Sequence, residues 1–590
     1  MSTLALANEK PLDWPNLTAP MDVRSNPNDV GWGRWRWALN VRSPEKGQLM
    51  RREGWRRFGY QTEHPNCDLH DQHGTTHPIR SIHYHPAGNG VAPRLFCGTA
   101  TDVWMNRADG GWRSTLTVPE GGRWSFASLS DLVLAANGKV VRYMRVGAPG
   151  SMVEIQSLSK PAPDGVGVTG AHVAWTFQGT FFLADVVIDG VRVRNLIVWA
   201  NQNSIEFVPS ADSTAGFYHL NPDEQILAGM WVGTVFMVFT TRGAWRLGVQ
   251  DGQFVFQNVY YSANRSACPL NGAAIAVDRG VAFYMASDGI YSMSPFSQAP
   301  EWSDWINDGL PRSFIAEEDG DCLVEAAIYD QTRNEVWFSS PTAGLTFIID
   351  LRRSSTSVMD HAWTALEPAV LRRVDDVAMW WVRSGICSAD AVDDFFPLGE
   401  REDARQHPPV TGEATGCSPF NPPCPACTSS IELVGASADD FCLKFIDPTF
   451  FSREMRGSDG EWSLRAYGSR LVTGCPNFGT QDEKRVSRAI VEFVAGGDTI
   501  AKASLRVGVS ASPVDPLVEG CRKVWTFREK ELRCTTPRPG DAPRFQPAQW
   551  IFVADGRYLY FDLRIDDTSG ASVTFTRFAI AVSRSPNSTP

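Results

Sequence analysis

Gln225–Val259 reads QILAGMWVGTVFMVFTTRGAWRLGVQDGQFVFQNV, and its punctuation decides the fold. A first apolar run ends at the turn around Gly233, and a second runs to Thr241-Arg-Gly. A third centres on Ala244-Trp-Arg-Leu, and a fourth is Phe254-Val-Phe. Aromatic and β-branched side chains suit a pleated, half-buried surface, while glycine supplies the positive φ that tight hairpins demand. Four strands in about 35 residues is the size of one β-propeller blade.

The scheme repeats outward from there. Ala273–Ile306 opens AAIAVDRGVAFYMASDGIYSMS, with Asp278-Arg-Gly and Ser287-Asp-Gly as hairpin turns and Trp302 and Trp305 at its close. Val324–Leu366 follows with Tyr329-Asp-Gln-Thr-Arg-Asn-Glu-Val-Trp, a strand, a polar turn and a strand, because Asp and Asn tolerate turn backbone. Trp245, Trp305 and Trp363 recur late in successive units. Looser copies lie at Ile79–Trp112, Trp124–Arg145 and His172–Phe207. Six blades are expected, with Val374–Cys387 a partial seventh.

Composition agrees with short strands and tight turns: the 590 residues include 21 Trp, 32 Phe and 50 Gly, and long helical periodicity is nearly absent. The expected fold is therefore all-β, a propeller of six or seven blades followed by a β-sandwich-like domain. The formal net charge is −11, without a Lys-rich tail, which argues against a tight, sequence-independent nucleic-acid binder. The N-terminus lacks the pattern of a signal peptide, and no window is apolar enough to span a bilayer as a helix, so synthesis in the cytoplasm is expected.

Four segments are expected. Residues 1–62 form an N-terminal arm with lead-in strands, 63–387 the propeller, 388–430 a Pro- and Cys-rich linker, and 431–590 the sandwich-like domain. In the first segment Trp, Val, Leu and Phe alternate with arginine. Arg51, Arg52, Arg56 and Arg57 read as a solvated strand edge or as contacts with a neighbouring subunit. Six of the ten histidines fall between His64 and His85, but Cys67, His70, His73 and His77 match no standard zinc spacing, and a polar loop is expected. Cys417, Cys424 and Cys427 contain a C-x-x-C pair flanked by prolines 422, 423 and 425. That is a weak metal or disulfide signal and a poor thioredoxin-like one. Cys521 and Cys534 flank Val524-Trp-Thr-Phe and are candidates for a disulfide across a hairpin.

Catalytic signatures are missing: there is no G-x-S-x-G elbow, no phosphate-cradling P-loop and no H-E-x-x-H. No enzyme activity, cofactor or metal is expected. The rival is a propeller glycoside hydrolase, for which Asp288, Asp304, Asp308, Glu317, Glu318, Asp319 and Asp321 supply carboxylates. Abundance alone does not set the separation that glycoside hydrolysis needs. The Trp content motivates a further alternative, a carbohydrate-binding propeller or adhesin.

The organisation resembles the propeller-bearing nozzle or tail tubular proteins of short-tailed phages. Trp37–Trp55, WALNVRSPEKGQLMRREGW, is similar to that family's lead-in to the propeller, an Asn, a polar turn and a basic strand ending in R-R-x-G. Val238–Leu247, Val281–Tyr291 and Tyr329–Phe338 resemble blades there, and Gly556–Ile565 resembles closing sandwich strands. The resemblance implies a structural virion protein of the neck or tail, assembled in the host cytoplasm. It further implies a ring of copies, commonly sixfold, through whose axis DNA passes on ejection. Its partners are other virion proteins: adaptor or portal on one side, tail fibres or tail tip on the other.

Overall fold

The alternating segments pair into seven antiparallel blades in the computed structural model. It describes the chain from Leu12 to Arg584 apart from 58–77, 381–426 and a set of shorter internal stretches, the longest of them 535–545. Six blades follow chain order: Ser81–Thr117, Ser125–Glu154, Val168–His219, Ile226–Tyr261, Ile275–Trp302 and Ala326–Met359. The innermost strand of each touches that of the next, and the seventh touches the first, so the ring is closed. Among the described residues regular helix is limited to short turns such as Asp304–Asn307.

Blade 4 shows why this sequence makes a blade. Its second strand, Val235–Thr240, is buried on both faces and therefore reads as an unbroken apolar run. Phe236 and Val238 pack toward blade 3 against Trp175 and Phe182, whereas Met237 and Phe239 pack toward blade 5 against Ala282 and Tyr284. The preceding turn needs glycine twice over. Gly233 has φ +64°, and a Cβ there would stand 2.8 Å from the Arg279 carbonyl oxygen of the neighbouring blade.

The seventh blade is assembled from distant pieces. Trp363–Val374 is its innermost strand, Cys427–Ser437 its second, Leu443–Ile446 its third, and the N-terminal strand Trp55–Arg57 its fourth. Ile446 lies opposite Trp55 and Lys444 opposite Arg57. The N-terminal strand thus closes the ring. Trp55 is fully buried, stacked on His361 at 4.2 Å and edge-on to Trp363 at 5.6 Å. Val374–Cys387 is accordingly not the core of the seventh blade; within it only Ala378–Trp380 is a described strand, paired with the end of Trp363–Val374. Trp245, Trp305 and Trp363 do not mark equivalent places: they occupy a third strand, a short helix and a first strand.

Blade 6 does not end at its fourth strand. Ser355–Met359 takes Trp35–Leu39 in parallel, with Leu39 opposite Val358, and the sheet continues through Ser469–Thr473, Tyr558–Ile565, Ala501–Ser510 and Thr526–Cys534. A six-stranded sheet covers this extension. It is built from Leu12–Asp13, Val41–Arg42, Leu49–Arg51, Ser572–Arg584, Lys484–Gly496 and Gln546–Gly556. Trp35, Val486, Phe561, Phe578 and Ile580 fill the space between, and Trp14 stacks on Trp35 at 4.3 Å. The propeller-plus-sandwich fold expected from the strand pattern is present. The segments set at 62, 387 and 430 do not coincide with the sheets, however. Residues 12–57 give strands to both sandwich sheets and to blade 7, and 431–437 belong to the propeller.

Candidate functional site

Two places gather chemistry: the junction where the N-terminal segment meets blade 6, and the propeller axis. At the junction Arg51 and Arg52 are not at a solvated edge or open to a neighbouring subunit, since they are 0% and 1% exposed. Arg52 donates to Glu335 in bidentate fashion at 2.7 and 3.1 Å, and it lies over the Trp337 ring at 5.5 Å. Trp337 Nε1 donates to the same carboxylate at 2.9 Å. Burial works against the Glu335 charge, yet Arg52, with Arg42 and Arg333 behind it, holds the carboxyl below its ordinary range. The next residue, Glu53, pairs with Arg42 and stands 3.7 Å from Arg333, which in turn binds Asp330 at 2.7 Å. The R-R-x-G stretch is thus a buried ionic clasp holding strand to blade. Arg56 and Arg57 lie in the closing strand of blade 7, and their side chains are outside the described residues.

The axis is reached by all seven blades. Where the connections between blades enter the innermost strands, they line a cavity of about 390 Å³ that is open to solvent. Its wall takes Ile82, Arg123, His172, Gln225, Asn271, Ala326 and Glu367, one from each blade or the connection leading into it. Asp185 joins them because its strand is irregular. The pairing of Thr180–Ile188 with Val191–Trp199, the second hairpin of blade 3, shifts register between Ala184 and Val186, and Asp185 takes φ +50°. Asp185 is fully buried and accepts from Arg192 Nε at 2.6 Å, from a second Arg192 nitrogen, and from Gln225 Nε2 at 3.1 Å.

Arg123 is placed differently. Its guanidinium donates to the Glu325 carbonyl oxygen, and no carboxylate of the described residues stands within ion-pair distance. Burial lowers its pKa to about 10, with Glu325 opposing and Arg80 adding to the fall. Further along, Glu367 accepts the Tyr84 backbone N–H at 3.2 Å, and burial pushes its carboxyl up to about 8, so it is mostly protonated at neutral pH. Burial also lowers His172, against Asp185 and helped by Arg192 and Arg194. At the opposite ends of the same inner strands Ser128 Oγ lies 2.6 Å from His83 Nε2 and 3.1 Å from His85 Nδ1. Burial pushes these two imidazoles down to about 3 and about 4, so both are neutral at pH 7.

The residues singled out by sequence for other chemistry are elsewhere. Asp288, Asp304 and Asp308 sit around blade 5 beside Arg24, Tyr291 and Trp302, away from the axis. Glu317, Glu318, Asp319 and Asp321 are outside the described residues, as are Cys417, Cys424 and Cys521. Cys427 begins a blade 7 strand and Cys534 ends a sandwich strand opposite Ala501; their side chains are not among those described. Cys97 and Cys268 are buried thiols. Among the described residues no cluster of three His, Cys, Asp or Glu forms a metal cage, and no helix is long and apolar enough to cross a membrane.

No family model matches the chain, and no curated protein does. Solved structures similar to it include BBS1N in complex with ARL6DN, at 9% identity over 68% of this chain and 98% of that one, TM-score 0.35. The WD40 repeats of RRP9 align at 7% identity over 54% and 91%, TM-score 0.34. Citrobacter koseri AztD aligns at 11% over 50% and 79%, TM-score 0.28. Likenesses this remote carry no argument about function.

Proposed function

We propose that the chain is a structural virion protein, a propeller-bearing subunit of a phage neck or tail ring. The observation that carries the reading is the nine-stranded sheet that runs from blade 6 into the sandwich, clasped by the R-R-x-G stretch on which the phage resemblance rests. A shared sheet with one continuous core makes propeller and sandwich a single rigid body, as a ring subunit transmitting contacts from one face to another requires.

The outer strands Gly216–His219, Gln253–Tyr261 and Glu301–Trp302 end the sheets of blades 3, 4 and 5, and Phe217, Tyr261 and Trp302 on them are exposed. Such edges suit docking of neighbouring virion proteins. The propeller axis narrows to the cavity described above, far too small for a duplex, so the DNA path in this reading follows the axis of the ring of copies. A net charge of −11 suits a conduit that must not hold phosphate. Gold-labelled antibody against the chain, applied to particles released by a host carrying this sequence, tests it. Label at the neck or tail is expected. Particles free of the chain would refute it.

A further inference from the structure

We propose that the axial cavity is a binding site for a small anionic ligand, a carboxylate- or phosphate-bearing molecule seated on Arg123. The site does not depend on the virion reading. The cavity, about 390 Å³, lies within the range of small-molecule sites, and polar groups from several blades converge on it.

Charge decides the ligand class. Asp185 is already saturated by Arg192 and Gln225. Glu367, held by the Tyr84 N–H, faces the cavity as a neutral acid able to donate a hydrogen bond. Arg80 and Arg194 stand behind Arg123 and His172, opposed by Glu325. The nearby cations therefore outnumber the anions, and among the described residues the Arg123 guanidinium on the wall is met by a backbone carbonyl rather than by a carboxylate. A partly desolvated guanidinium with open donors recognises planar anions in bidentate fashion. Asp185, at left-handed φ, accepts from Arg192, which lines the same wall. Were Arg123 only a brace between blades 2 and 6, its loss would lower stability and leave ligand binding unchanged.

The test is isothermal titration calorimetry on the full chain at pH 7 and constant ionic strength, with citrate and with inorganic phosphate as probes. Saturable one-site binding of citrate, phosphate or both is expected, and which probe binds distinguishes the two chemistries. Arg123→Met should weaken binding at least about tenfold. Arg145→Met, on the exposed blade 2 arginine that pairs with Asp131, should leave it unchanged. Asn271→Asp, which adds a carboxylate to the wall while keeping the oxygen that accepts the Ala273 N–H, should weaken binding even if Arg123→Met fails to fold. No saturable binding of either probe would overturn the proposal. So would equal affinity in Arg123→Met, equal affinity in Asn271→Asp, or equal loss in Arg145→Met.

Discussion

Replacing Arg52 with Met tests whether the N-terminal segment clasps propeller and sandwich into one unit. The side chain is 1% exposed and Glu335 is 2% exposed, so neither charge has water to fall back on. Removing the guanidinium leaves a buried carboxylate whose remaining hydrogen-bond donor among the described residues is Trp337 Nε1, and stranded buried charges cost about 3–5 kcal/mol. Glu335→Gln should also destabilise, because it removes the counter-charge of buried Arg52, which keeps its hydrogen bonds to the Val41 carbonyl oxygen and Ser357 Oγ. The double variant should cost less than the sum of the two, by about 2 kcal/mol or more, because it removes both charges together. With an unfolding entropy of roughly 2.1 cal/mol/K per residue, a chain of 590 residues melting as one unit would lose only about 2–4 °C for that destabilisation. Calorimetry of the four proteins should therefore show one transition that moves by a few degrees. Additive losses, or an Arg52→Met melt indistinguishable from the parent, would refute the reasoning.

Three further outcomes follow from the same structure. Trp55→Ala removes the indole that locks the closing strand of blade 7 against His361 and Trp363. It should destabilise by about 3–5 kcal/mol and open that blade to limited proteolysis. Gly233→Ala places a Cβ 2.8 Å from the Arg279 oxygen at φ +64° and should cost about 1–3 kcal/mol in denaturant unfolding, a loss that an ordinary surface turn would not show. Glu367 keeps its proton up to about pH 8 when folded but loses it near 4.5 when unfolded, so its contribution to stability is full below about pH 4.5 and drains away as pH rises to 8. Glu367→Gln should remove that slope and gain about 1–3 kcal/mol over the parent at pH 8.5. This is well below the ~5 kcal/mol upper bound, because solvent reaches the axis; equal pH profiles would contradict it.

Blades 4, 5 and 6 were legible because each is a run of consecutive hairpins whose Gly, Asp and Asn turns punctuate the apolar strands locally. Blade 7 was not, because its four strands come from residues 55–57, 363–374, 427–437 and 443–446, and no local pattern announces that pairing. The alternation of arginine with Trp and Leu in 35–57 correctly marked strands. It could not say that Arg52 turns inward, since its carboxylate partner is 283 residues away. Asp185 had a faint signal: a charge inside FFLADVVI, a run otherwise apolar enough for a strand buried on both faces, marks an irregularity in the pairing. Glu367 had none, because only ring closure brings it to the axis.

Single-particle reconstruction of the particle's neck and tail tests the central claim most directly. It should show a closed ring of copies, each with propeller and sandwich fixed to one another as here, and the DNA path on the ring's axis rather than through any propeller. A neck and tail built without this fold, or a chain that stays outside the particle and turns over a substrate, would contradict it.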